Sequence, residues 1–258
     1  MTPEVQVVLS DGVLTATISR PDKKNALTNE MYRALADAIA RANEDDEIRV
    51  LLIQADGDTF TAGNDVSEFA AQAMGNGPKE RYVVRFLHAL ATATVPIVAA
   101  VQGKAVGVGT TMLLHCDYVL LSDDAQLLTP FVNLALVPEA ASSLLMPLRI
   151  GHVRAYEMFA LGEAVPAGTA VAWGLANKTT SVAELRAEAR RVAEKLAARP
   201  SGSLTAMKRL MRDAEKLVSQ LDRESGIFVE RLGSAEAKEA FAAFAQKRQP
   251  DFTKLAGK

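Results

Sequence analysis

The apolar positions of the chain fall into two rhythms, which divide it into two halves. In the first half they come as short runs. Val5–Leu9 and Val13–Ile18 flank the turn tripeptide Ser10-Asp11-Gly12, which predicts a β-hairpin. Val50–Ile53, Val95–Val101 and Tyr118–Leu121 are short apolar runs, the pattern of strands buried on both faces. Between these runs the spacing turns helical. Thr28 is placed to cap a helix reaching about Asn43, with Met31, Leu35, Ile39 and Ala42 on one stripe. A helix is expected after Asp65, then a mobile Gly75-Asn76-Gly77-Pro78 segment, then a helix over Lys79–Thr94. Ala125–Val137 reads as irregular, and Pro138-Glu139 is expected to open a helix. From there the helical rhythm dominates, over His152–Leu161, Pro166–Trp173, Val182–Arg199, Ser203–Leu217, Leu221–Leu232 and Ser234–Arg248. Strands first and helices after predict one α/β core over residues 1–198 and a helical region over 199–258.

Composition narrows the function classes. The 258 residues are 49% hydrophobic but only 5% aromatic, so the core is built from Ala, Leu and Val. A net charge of −2 carries no electrostatic footprint for nucleic acid or an anionic membrane. No apolar run approaches the roughly 20 residues that span a bilayer. The single cysteine, Cys116, forms no internal disulfide and fits a reducing compartment. The opening MTPEVQVVLSDG lacks a basic-then-apolar leader and the closing KLAGK lacks a peroxisomal address, so a cytoplasmic location is expected.

The chemistry starts in the stretch from Val95 to Asp117. A strand runs into a loop holding Gly103, Gly107 and Gly109, and the compact apolar segment Thr110–Cys116 follows. A strand that turns through glycines into a helix presents free backbone N–H groups and a positive dipole end. ADGDTFTAGND, over Ala55–Asp65, is a second such passage. If the two strands are neighbours, the N–H groups of Asn64 and Val108 can converge on one oxygen, an oxyanion hole; spacing alone favours the plainer reading, that the glycines only allow tight turns. Gly107-Val108-Gly109 lacks the third glycine of a dinucleotide fingerprint, and neither a phosphate-binding GxxxxGK[ST] loop nor a GxSxG elbow occurs. His115 and Cys116 point about 100° apart on a helix and are expected to pack inside rather than form a dyad. His88 and His152 have no partners at metal-ligand spacing. Glu139 stands alone in LALVPEAASSLL. Apolar surroundings would raise it into the range of a general base, whereas a place in the first turn after Pro138 would make it a helix-dipole partner. Lys23, Lys24, Lys247 and Arg248 are available to a phosphate-bearing ligand or to solvent.

RPDKKNALT, DTFTAGNDVSEF, VQGKAVGVGTTMLLHCDYVLLSDDAQL and the closing FAAFAQKRQPDF, in this order, resemble the crotonase (enoyl-CoA hydratase/isomerase) superfamily over roughly the whole chain. The resemblance implies an α/β crotonase (ClpP-like) spiral of ββα units with a C-terminal helical trimerisation region, hence a homotrimer or dimer of trimers. It implies an acyl-CoA thioester substrate with coenzyme A as part of it and no further cofactor or metal. It gives Asn64 and Val108 as the two oxyanion donors, beside Gly107, and places Lys24, Ala26, Ala62, Gly63 and Asp65 along the CoA site. Phe244 and Lys247 match positions that contact CoA, often from a neighbouring subunit. Hydratases of the family use two glutamates, and here Thr111 and Phe131 stand at those positions. TPFVNLALVPEAASS is instead similar to the peroxisomal-type Δ3,Δ2-enoyl-CoA isomerases, which carry a glutamate at the position of Glu139. That implies a double-bond shift with Glu139 as the base and Phe131 helping to keep the pocket dry.

Overall fold

The computed structural model describes residues 2–65, 67–68, 71, 77 and 80–255. A six-stranded sheet forms its centre. Strands β1 (Val5–Ser10) and β2 (Val13–Ile18) make the expected hairpin, and β3 (Val50–Ala55), β4 (Ile97–Val101), β6 (Tyr118–Ser122) and β9 (Lys178–Thr180) continue it in parallel, in the order β1-β2-β3-β4-β6-β9. Side chains alternate between its two faces, as the two-residue period of a strand requires. Leu51, Ile53, Ile97, Ala99, Val119 and Leu121 enter the main core, shared with the helices α1 (Asn29–Glu44) and α2 (Tyr82–Thr92). Val50, Leu52, Val98, Ala100 and Leu120 enter a second cluster under α7 (Leu185–Ala197). The apolar runs are continuous because both faces of these strands are covered.

Thr28 caps α1 as expected, its side chain accepting from the Met31 N–H, and Met31, Leu35, Ile39 and Ala42 are all buried. A second sheet joins β5 (Lys104–Val106), β7 (Gln126–Leu128) and the two-residue β8 (Val165–Pro166). These three strands and β9 were not expected; they are two or three residues long, too short to establish a period. β7 lies inside the stretch expected to be irregular, which otherwise holds a 3₁₀ turn over Val132–Leu134. The helix in the central stretch starts earlier than its apolar run. α3 spans Val108–Thr111 and passes into a 3₁₀ turn over Met112–His115.

Three further expectations are corrected. Pro138-Glu139 does not open a helix. Ala140 and Ala141 take left-handed backbone angles, and α4 begins only at Ser142, running to Ile150. α5 (His152–Leu161) and α6 (Ala167–Trp173) follow as expected. Ser203–Leu217 is not one helix: α8 (Ser201–Met211) ends before Arg212, and α9 (Ala214–Leu232) starts afresh, with the Asp213 side chain accepting from the Lys216 N–H. Leu221–Leu232 is therefore the second part of α9, and α10 (Ala235–Ala245) closes the helical region. The expected mobile segment Gly75–Pro78 lies, except for Gly77, outside the described residues.

Candidate active site

The two glycine passages meet. The loop after β3 runs beside the segment after β4: the Thr61 N–H donates to the Lys104 carbonyl at 3.1 Å and the Val106 N–H to the Thr61 carbonyl at 3.0 Å. Glycine allows that approach at two points. Gly63 has φ +89°, and a Cβ there would lie 2.9 Å from the Val106 carbonyl oxygen. A Cβ on Gly109 would lie 2.5 Å from the Thr61 Cγ2. The polar loop before α1 locks onto the same place. The Ala62 N–H donates to the Lys24 carbonyl, the Leu27 N–H to the Gly63 carbonyl and the Asp65 N–H to the Leu27 carbonyl. The buried Asn25 amide donates to the Asp56 and Thr59 carbonyls, both at 2.7 Å.

This clasp leaves two donors unused. Among the described residues neither the Asn64 nor the Val108 backbone N–H has a hydrogen-bond partner. Both residues line one cavity of about 350 Å³, together with the expected Ala62, Gly63, Gly107, Phe131 and Phe244. The rest of its wall is largely apolar: Leu134 and Leu136, with Phe228 from α9 and Phe241 from α10. The C-terminal helices of this chain thus close its own cavity. Unpaired N–H groups beside a mostly apolar space, one of them at the start of α3, suit an oxygen that gains negative charge.

Glu139 is joined to this cavity rather than lining it. Its Oε1 accepts from the Thr111 hydroxyl at 2.6 Å, one helical turn beyond Val108. Burial raises its carboxyl, the Thr111 hydrogen bond works against that, and the charge of Glu224 adds to it; the outcome is about 7. The Tyr32 hydroxyl completes the group. It donates to the Asn64 Oδ1 at 2.5 Å, and its own ionisation is pushed up by burial and then by the nearby Glu139 charge. An acid–base group poised near neutrality therefore stands one hydrogen bond and one helical turn from the unpaired Val108 amide.

The other expected residues fall around this group. Lys24 lies beside Ala62, its carbonyl accepting the Ala62 N–H, with its ammonium 2.8 Å from Asp58; the Ala26 N–H donates to the Lys23 carbonyl and its own carbonyl accepts from Arg20. Asp65 is paired with Arg20 at 2.6 Å. Burial favours its neutral form, but hydrogen bonds from Ser67 and Arg20 outweigh this and hold it at about 2. Lys247 is exposed and is not part of the cavity wall, whereas Arg248 is, its guanidinium engaged by Glu239. Lys24 and Arg248 are thus each neutralised within the chain. His115 and Cys116 are buried as expected. Among the described residues no cluster of three or more His, Cys, Asp or Glu side chains could hold a metal ion. Sequence reasoning missed Tyr32, although a hydroxyl beside a buried helical stripe was a usable signal. It noticed Thr111 only as an absent glutamate, not as a donor.

A family model for enoyl-CoA hydratase/isomerase matches residues 9–255, and the chain belongs to that family, within the crotonase superfamily, whose members act on acyl-CoA thioesters. The 1,2-epoxyphenylacetyl-CoA isomerase of Escherichia coli (strain K12) is 33% identical over 251 residues, covering 94% of this chain and 95% of that protein. The enoyl-CoA delta isomerase 2 of Rattus norvegicus is 32% identical over 250 residues, covering 95% of this chain and 64% of that protein. A crystal structure of an enoyl-CoA hydratase/isomerase from Pseudoalteromonas atlantica T6c superposes with a TM-score of 0.92 at 45% identity, covering 96% of this chain and 99% of that one. The fold is the crotonase α/β spiral with a helical C-terminal region.

Proposed function

We propose that the protein shifts the double bond of a 3-enoyl-CoA to the 2-position, with Glu139 as the single acid–base group. The observation that carries this reading is the Glu139 carboxyl, raised to about 7 and bonded to Thr111 one turn from the unpartnered Val108 N–H. Ionised Glu139 takes a proton from C2. The electron pair spreads over the thioester as a dienolate, whose oxygen accepts from the Asn64 and Val108 N–H groups. The protonated Glu139 then returns the proton at C4, and the C3–C4 double bond becomes C2–C3. A group held near neutrality serves both halves of that cycle. Thr111 and Phe131, where the family's hydratases carry glutamates, argue against efficient addition of water. The thioester itself carries the coenzyme A, so the reaction calls for no further cofactor.

Glu139→Gln tests the reading. Isomerisation of 3-hexenoyl-CoA, followed by absorbance of the 2-enoyl product, should fall by about 10³-fold or more while CoA-ester binding survives. Near wild-type turnover would sink the assignment. Loss of 2-enoyl-CoA absorbance with no isomerase activity would favour a hydratase or thioesterase instead. The resemblance, together with the exposed Leu148, Val153, Leu210 and Met211, supports a homotrimer or dimer of trimers, which sedimentation velocity measures. A cytoplasmic location is part of the same proposal; among the described residues no helix is long and apolar enough to cross a membrane.

A further inference from the structure

Glu139 is carried on backbone that its own sequence disfavours. Ala140 and Ala141 stand at φ 63° and 53°. A residue with a Cβ in that region costs on the order of 1 kcal/mol, and here two stand in succession. No side chain within the segment caps α4, which starts immediately afterwards. Such a turn persists only where its surroundings over-determine it.

Two distant side chains do so. His115 bonds the Ala140 carbonyl through Nε2 at 2.8 Å. Arg212 fixes the tautomer: its guanidinium is only a donor and reaches Nδ1 at 2.8 Å, so Nε2 carries the hydrogen and donates it. From the other side comes Glu224, on α9. Its Oε1 accepts from the Ser143 N–H at 3.0 Å and from the Ser143 hydroxyl at 2.5 Å, and the Ala141 N–H supports the same carboxylate. Gln220, one turn earlier on α9, donates to the Ser143 hydroxyl at 2.8 Å. Glu224 thus caps α4 from another helix. It is 5% exposed, and among the described residues its second oxygen has no partner. A buried carboxylate with one oxygen unsatisfied is a poor device for stability alone.

We propose that Glu224 is a positioning residue for the reaction at Glu139: it fixes the Ala140–Ala141 turn, and through that turn the direction in which the Glu139 carboxyl faces Thr111 and the substrate carbon. The proposal rests on the reading of Glu139 as the base. It separates Glu224 from an ordinary structural side chain, whose loss would lower the melting temperature and leave turnover intact. Glu224 does not line the cavity, so its loss should act on turnover rather than on substrate binding.

The test is steady-state turnover of 3-hexenoyl-CoA by the full-length protein, with Glu139→Gln assayed alongside. Glu224→Ala should lower kcat by roughly 10- to 100-fold with KM within about threefold, the signature of a misplaced group. Glu224→Gln should restore kcat to within a few-fold of wild type, because its amide oxygen still accepts from Ser143. If Glu224→Ala does not fold, Ser143→Ala carries the test from an exposed position. It removes one of the two Ser143 donors and should lower kcat several-fold at constant KM. Unchanged kcat in the variant that folds, a change confined to KM, or a Gln variant as slow as the Ala variant would overturn the proposal. If Glu139→Gln is inactive while Glu224→Ala turns over normally, only the positioning role fails. If Glu139→Gln stays active, the base assignment fails and this proposal goes with it.

Discussion

Two cavities of nearly equal size, about 350 and 360 Å³, adjoin the two ends of the segment from Gly107 to Asp117. Size does not distinguish them. The second, at the Cys116 end, is the richer in charge: the buried Lys208, the half-buried Arg212 and the exposed Arg149 all border it. Each of these cations is nevertheless engaged by the chain itself. The Lys208 ammonium lies 2.7 Å from both the Val95 carbonyl and Asp117, Arg149 donates to the Leu114 carbonyl at 3.0 Å, and Arg212 holds the His115 carbonyl and ring. Burial pushes the Cys116 thiol up to about 12, where it is no nucleophile. The cavity at the Gly107 end borders fewer charges, but its Asn64 and Val108 amides are unspent and a carboxyl near neutrality stands behind them. What marks the proposed reaction site is capacity left over after folding.

The largest effect that can break this comparison is removal of an unspent donor. Val108 is the first residue of α3, a position that tolerates proline because its N–H has no intrahelical partner. Val108→Pro should therefore fold, at the cost of some packing, and should lower kcat by about 10²- to 10³-fold, the usual penalty for one oxyanion donor. Turnover within threefold of wild type, in protein with an unchanged circular dichroism spectrum, would take the Val108 amide out of the chemistry.

The second cavity should respond in the opposite currency. Lys208→Met strips the ammonium from Asp117 and from the Val95 carbonyl, leaving a partly buried carboxylate unpaired. Urea unfolding should show a loss of about 2–3 kcal/mol, somewhat below a fully buried pair because Asp117 keeps contact with water. Turnover should stay within about threefold. If this variant instead lost activity at constant stability, the second cavity would belong to the site and the contrast would collapse.

The contrast also explains which parts of the molecule were legible in its sequence. The hairpin, the parallel strands and α1 followed from apolar period and one cap, because each is fixed by residues close in the chain. The pairing of the two glycine passages was legible only as a condition; the β3–β4 pairing and the Thr61–Lys104 contact fulfil it. Pro138 misled, because its preference for a helix start is local. His115 and Glu224, distant in sequence, hold the turn that defeats it. The break before α9 was missed because the apolar stripe carries on across Asp213. Glu224 itself reads in sequence as one acid among several on a surface helix, and nothing local announces that α9 buries it against α4.

The smallest effect sharpens the first cavity from within. Thr111 is the only hydrogen-bond donor found on the Glu139 carboxyl among the described residues, and it favours the charged form. Thr111→Val keeps the shape and removes the donor, so the carboxyl should titrate higher than about 7. A hydrogen bond to the charged carboxylate is worth about 1.5–3 kcal/mol and one to the neutral acid about 0.5–1.5 kcal/mol, so the difference, roughly 1–1.5 kcal/mol, raises the value by about one pH unit. On the proposed mechanism Glu139 must be ionised to take the C2 proton; kcat/KM should therefore climb with pH through that value, and a higher value moves the climb to higher pH. At pH 7 the variant should run several-fold slower than wild type, and above about pH 9 the two should converge. A pH profile of kcat/KM on 3-hexenoyl-CoA reads both limbs. If the variant is slower by the same factor at every pH, Thr111 orients Glu139 without tuning it. If its climb moves to lower pH, the sign of the electrostatic argument is wrong, and burial and Glu224 are not what hold Glu139 near neutrality.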